Sequence, residues 1–208
     1  MAIYHCNISN VSRAKGSSSV ATLSYITGEK AKDERLDKTF DFGRSERVMT
    51  VGTVLPEYAP QEFQNATALF NSLEKYETAD NARTAKKIEV ALPREFSLEQ
   101  QKEVVEDFIR ANITSKGYAC VYAIHTDKHG NNPHAHILIA NRQIIEKGEW
   151  VKTKTNSEFV LDKDGNKIPL LDENGEQKVR IRAGKGVEKL WQRQNVSTNP
   201  LDRMEVLQ

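Results

Sequence analysis

The chain has 208 residues, a net charge of +1, 38% hydrophobic and 28% charged side chains. That length and balance suit a globular, soluble protein with room for a sizeable core, most simply one domain over 1–208. No apolar run is long enough to span a membrane, no signal peptide opens the chain, and the near-neutral charge does not by itself advertise a nucleic-acid binder.

In chain order, IYHCNIS reads as a first strand. GSSSVATLSYITGEK reads as a short helix, with serines as N-cap and Gly28 as stop. Its apolar face centres on Val20, Leu23 and Thr27, which leaves Tyr25 on the solvent side. Residues 30–50 read as polar and irregular, and VMTVGTVLP as a strand ended by Pro56. APQEFQNATALFNSLEKYE places Phe63, Ala66, Phe70 and Leu73 on one face of a helix. KKIEVALP is a strand. SLEQQKEVVEDFIRANI is a second long helix, with Ser97 and Gln100 as a capping box. YACVYAIH and PHAHILIA are strands joined by turn residues. The turn signals DKDGN and DENGE flank KIPLL and predict a β-ribbon arm at about 150–183. GVEKLWQRQN reads as a closing helix. No internal repeat is apparent. This order predicts an α+β domain: a central antiparallel β-sheet, helices packed on one face, and a metal site on the other. Cys6 and Cys120 read as reduced core residues of a cytoplasmic protein.

Four of the five histidines fall within twelve residues: His125, His129, His134 and His136. In a strand, His134 and His136 share a face, about 7 Å apart along the backbone. The hairpin returns His125 to their neighbourhood. Three imidazoles on adjacent strands form a metal site with open positions. His129, in the turn beside Gly130, reads as a solvated loop residue.

MAIYH with SYITGEK downstream, KIEVALPREF, and AIH…NPHAHILI together resemble the MobA/MobL family of plasmid and conjugative-element relaxases. These belong to the wider class of histidine–hydrophobic–histidine (HUH) endonucleases. The resemblance covers residues 1–142 and does not extend to the 150–183 arm. It implies that His125, His134 and His136 bind the metal, that Tyr25 is the nucleophile, and that Glu89 is a glutamate near the metal centre. The family often has a second acid two positions earlier, where this chain has Lys87.

The resemblance implies a DNA relaxase: strand-specific nicking of an origin of transfer, leaving a 5′-phosphotyrosine adduct. The ion expected in use is Mg²⁺ or Mn²⁺, and an all-histidine set would also take Zn²⁺, Ni²⁺ or Co²⁺. The expected partners are single-stranded or hairpin DNA and accessory transfer proteins. Arg13, Lys15, Lys178, Arg180 and Arg182 are the candidate DNA contacts, and alternation puts the last three on one face of a strand. If Tyr25 is not the nucleophile, Tyr4 is the first substitute. Tyr118 and Tyr122, in strands, and Tyr58 and Tyr76, at helix edges, read as packing residues. Three rival readings stay open: an HUH replication initiator, a non-catalytic DNA-binding module with a structural metal, and a water-using metal hydrolase.

Overall fold

The apolar runs become strands because each can bury a face only against its neighbours. A computed structural model describes residues 5–42, 47–152, 155–182 and 186–197. The chain divides into two compact units, 1–151 and 152–208. The first contains β1 (Cys6–Ser12), α1 (Ser19–Thr27), β2 (Ala31–Asp33), β3 (Lys38–Phe40), β4 (Arg47–Val54), α2 (Ala66–Tyr76), β5 (Arg83–Ala91), α3 (Leu98–Asn112), β6 (Tyr118–Thr126) and β7 (His134–Gln143). Five of the strands form one antiparallel sheet in the order β1-β5-β7-β6-β4.

Alternation sorts the sheet into two faces. Ala85, Ala119, Val121, Leu138 and Ala140 lie on the first, in one buried cluster with Val20, Leu23 and Ile26 of α1 and Leu69, Phe70 and Leu73 of α2. Tyr122 lies on the second. It covers Gly52, where an added Cβ would come within 2.4 Å of the ring. Its hydroxyl donates to Glu106 of α3 at 2.7 Å. The helices therefore cover both faces, which corrects the expectation of helices on one face and a bare face for the metal. Between their polar ends, β6 from Ala119 to Ile124 and β7 from Ile137 to Ala140 are largely apolar and buried on both faces, so each face needs a lid.

The two faces of a helix also set its limits. Ser18 caps α1 by accepting from the backbone N–H of Val20 and Ala21, and Gly28 closes it at φ 67°. α2 starts later than its apolar pattern suggests. Asn65 caps it through the N–H of Ala68, and Phe63 sits in a preceding 3₁₀ turn. The Ser97–Gln100 capping box is present on α3. Residues 31–40 are ordered as the β2–β3 hairpin rather than irregular.

A buried carboxylate ties this unit together. Glu74 in α2 accepts from the Ser19 amide at 2.8 Å and hydroxyl at 2.6 Å, from Arg13 at 2.8 Å, and from Arg35 at 3.2 Å. Burial alone would raise its pKa, but the bonds from Ser19 and Arg13 hold it below its ordinary value.

The second unit contains β8 (Thr155–Phe159), β9 (Val179–Arg182), β10 (Gly186–Lys189) and β11 (Arg193–Ser197), with β8 pairing β11 and β9 pairing β10. Residues 186–195, expected as a helix, are therefore largely strand. Their backbone groups are claimed by β9, next to β10 in the chain, and by the more distant β8, and pairing overrides local propensity. Two turns repeat ten residues apart. Asp162 accepts from the N–H groups of Asp164 and Asn166, and Asp172 from those of Asn174 and Glu176. A glycine at φ 82° and 83° completes each turn. This is an internal repeat that the sequence reading does not register. Asp127, His129, Gly130 and Asn131 use the same device between β6 and β7.

Candidate metal centre and nucleophile

The turn at Asp127 sets the register that builds the site. His125 on β6 falls directly opposite His134 on β7, and His136 falls between Ala123 and Glu89 on the flanking strands. The three rings share the first face, with centroids 4.6–5.6 Å apart. One ring nitrogen from each lies within 4.8 Å of the others, and all three residues are buried. The expected convergence of His125, His134 and His136 is found, and His129 is exposed in the turn.

Backbone carbonyls orient two of the rings. A carbonyl oxygen only accepts, so His125 Nε2 donates to Ile26 at 2.5 Å and His134 Nδ1 donates to Asn132 at 2.9 Å. In a neutral imidazole the other nitrogen then carries the lone pair. Such second-partner hydrogen bonds are how metal-binding histidines are fixed. Among the described residues, His136 Nδ1 is buried without a hydrogen-bond partner. Burial, then the neighbouring His125, pushes the pKa of His136 down to about 4. Its ring is neutral at ordinary pH and can offer a lone pair. An orphaned buried nitrogen among three converging imidazoles fits a divalent ion of the transition series.

Glu89 borders this trio on β5. Its Oε2 lies 3.6 Å from His136 Nδ1 and 3.4 Å from Lys87 Nζ, and its Oε1 is 4.0 Å from His5 Nε2. Lys87, in the place of a second acid, thus puts a positive charge against the remaining carboxylate.

Tyr25 is 53% exposed, on the side of α1 away from buried Val20, Leu23 and Thr27. Its ring meets Phe42, and among the described residues its hydroxyl is not hydrogen-bonded to Glu89. Tyr118 and Tyr122 are fully buried. Burial and the adjacent Glu106 carboxylate push the Tyr122 phenol far up, which unsuits it as a nucleophile. Tyr58 and Tyr76 are exposed rather than packed, the latter with the Arg142 guanidinium 4.8 Å over its ring. Tyr4 lies outside the described residues.

The basic candidates divide. Lys15 is exposed in a 3₁₀ turn. Arg13 is turned inward: its side chain is 9% exposed and bonds to Glu74 and to the backbone of Glu77 and Ala79. A guanidinium committed to a buried carboxylate is not presented to DNA, so Arg13 holds the helices together instead. Lys178 is exposed and Arg180 pairs with Glu188 at 3.8 Å. The side chain of Arg182 lies outside the described residues.

Glu74 is the positioning residue that sequence reasoning missed. The available signal was a carboxylate beside Leu73 on the apolar face of α2, one turn after Phe70.

The MobA/MobL family profile matches residues 17–205. A probable mobilization protein MobA of Bifidobacterium longum (strain NCC 2705) is 55% identical over 210 residues, covering 100% of this chain and 36% of the relative. The conjugal transfer protein TraA of Agrobacterium fabrum (strain C58 / ATCC 33970) is 31% identical over 201 residues, covering 92% of this chain and 17% of the relative. The chain thus spans about a third or less of these relatives. A solved structure, described under the molecular basis of vancomycin resistance transfer in Staphylococcus aureus, superposes with a TM-score of 0.67 at 26% identity, covering 72% of this chain and 76% of that one. From its matched length and its 55% identity to a relative, this chain belongs to the MobA/MobL family.

Proposed function

We propose that this chain is the nicking domain of a relaxase. It cuts one strand at an origin of transfer, in single-stranded or hairpin DNA, for conjugative transfer or mobilisation. The observation that carries this reading is the bond from His125 to Ile26, which ties the buried histidine trio to the helix that exposes Tyr25. Family membership supports it.

His125, His134 and His136 would hold the ion, and Glu89 would steady the His136 ring beside it. Bound there, Mg²⁺ or Mn²⁺, or Zn²⁺, Ni²⁺ or Co²⁺ as tighter competitors, would supply Lewis-acid charge to the scissile phosphate. The Tyr25 oxygen attacks phosphorus, and its proton passes to a base, for which Glu89 is the carboxylate bordering the trio. The bond to the 3′-oxygen breaks, that oxygen takes a proton, and the 5′-phosphate stays on Tyr25. Because the phosphodiester is exchanged rather than hydrolysed, attack by a 3′-OH can reseal the strand.

Residues 1–208 would form one nicking domain, with the second unit as a DNA-contacting arm through Lys178, Arg180 and Arg182, and Lys15 as a further contact. No described helix is long and apolar enough to cross a membrane, and we place the protein in the cytoplasm with accessory transfer proteins. The test is incubation with single-stranded origin DNA followed by a denaturing gel. A covalent protein–DNA species is expected. Free turnover without it would instead indicate a water-using hydrolase, and no cutting a binding module. Nicking of a replication origin alone would indicate an initiator.

A further inference from the structure

The exposed aromatic surface beside Tyr25 has no part in the chemistry above. The Tyr25 ring meets Phe42 edge to face, with centroids 6.0 Å apart and planes at 82°. Phe42 lies parallel to Phe40, 6.0 Å between centroids and 6° between planes. The ammonium of Lys38 stands 5.0 Å over the Phe40 ring. Phe42 is 40% exposed. Residues i and i+2 of an extended segment share a face, so both phenyl rings lie on one side of the hairpin.

The hairpin that carries these rings is held in place. Ser24, beside Tyr25, donates its hydroxyl to the Phe40 carbonyl at 3.2 Å. Buried Asp33 accepts from Ser18 at 2.5 Å and from the Leu36 amide at 2.9 Å. Asn71 of α2 accepts from the Glu34 amide at 2.9 Å and donates to the Lys32 carbonyl at 2.8 Å. A run of flat apolar faces ending in a cation, fixed next to a candidate nucleophile, matches bases strung on phosphates. Aromatic faces stack any base, and a lysine meets the backbone charge.

We infer that Phe42 and Phe40 form a ledge that stacks nucleobases of single-stranded DNA adjoining the phosphate presented to Tyr25, with Lys38 against a backbone phosphate. This rests on the nicking function proposed above.

The test uses the full chain, a labelled oligothymidylate, and an abasic strand with the same backbone, read by fluorescence anisotropy. Phe42→Ala should bind oligothymidylate about tenfold more weakly and the abasic strand as wild type does. Phe42→Trp should restore binding. Phe42→Leu, apolar but without a π face, should not. Lys38→Ala should weaken both strands. Unchanged oligothymidylate binding by Phe42→Ala, restoration by Phe42→Leu, or equal weakening on both strands would overturn the ledge. If wild type still forms the origin adduct in that case, only the ledge is lost. A wild-type protein that binds neither strand and gives no adduct defeats the nicking function, and the ledge with it.

Discussion

His125 Nε2 lies 2.5 Å from the carbonyl oxygen of Ile26, the residue that follows Tyr25 in α1. A helix leaves its last carbonyls without intrahelical partners. Here one of them is closed by a side chain from a central strand. The helix end that carries partial negative charge therefore faces the histidine trio, where it favours a cation. One hydrogen bond fixes the helix of the candidate nucleophile against the candidate metal ligands.

Tyr25→Phe removes one exposed hydroxyl, so folding, metal binding and affinity for origin DNA should stay near wild type. Cleavage and the covalent species should both vanish, because a phenyl ring cannot attack phosphorus. A variant that still forms the adduct would move the nucleophile to another tyrosine, Tyr4 first.

His134→Ala removes one of the three candidate ligands and should leave the sheet register intact. Isothermal titration with Mn²⁺ should show most of the affinity lost, and nicking should fall to background. Near-wild-type thermal unfolding of the metal-free protein should accompany this. Unchanged Mn²⁺ binding would remove His134 from the ligand set.

Glu74→Gln leaves Arg13 buried without its ion-pair partner. The cost should be about 3 kcal/mol in chemical denaturation. The wild-type carboxyl has a folded pKa below its ordinary 4.5. Its stabilisation is therefore fully present above about pH 4.5 and is lost as pH falls through the lower folded value. Wild type should lose stability over that acidic window and Glu74→Gln should lose less. Parallel acid profiles for the two proteins would show that the carboxylate charge does not hold α1, α2 and Arg13 together.

Gly52→Ala would put a methyl within 2.4–2.6 Å of the Tyr122 ring. That ring is held by Glu106 and fully buried, so it cannot swing away. A loss of about 1–3 kcal/mol is expected from overpacking. Tyr122→Leu in the same chain should recover part of it, and a double-mutant cycle measures the recovery. Purely additive losses would mean the two residues do not meet.

Replacing Lys178, Arg180 and Arg182 together by alanine should weaken DNA binding across sequences and lower its salt dependence. Unchanged affinity at several salt concentrations would give the ribbon a role other than DNA contact.

The histidine trio was legible in the sequence because its geometry is local. Alternation fixes the side of His134 and His136, and a turn-rich link of a few residues can only return His125 beside them. The same holds for α1, whose cap at Ser18 and stop at Gly28 are set by adjacent backbone groups, and for the outward side of Tyr25. What tertiary structure alone decided involves partners far apart in the chain. Residues 193–197 became strand because β8, an earlier segment of the second unit, claimed their backbone groups. α3 took the second face because Tyr122 and its neighbours left that face apolar as well. Arg13, one of several basic residues by sequence, was turned inward by Glu74, a carboxylate 61 positions away. A hydrogen bond or an ion pair between distant segments leaves no periodic trace, so only the folded chain shows which charges are spent on architecture and which remain for a ligand.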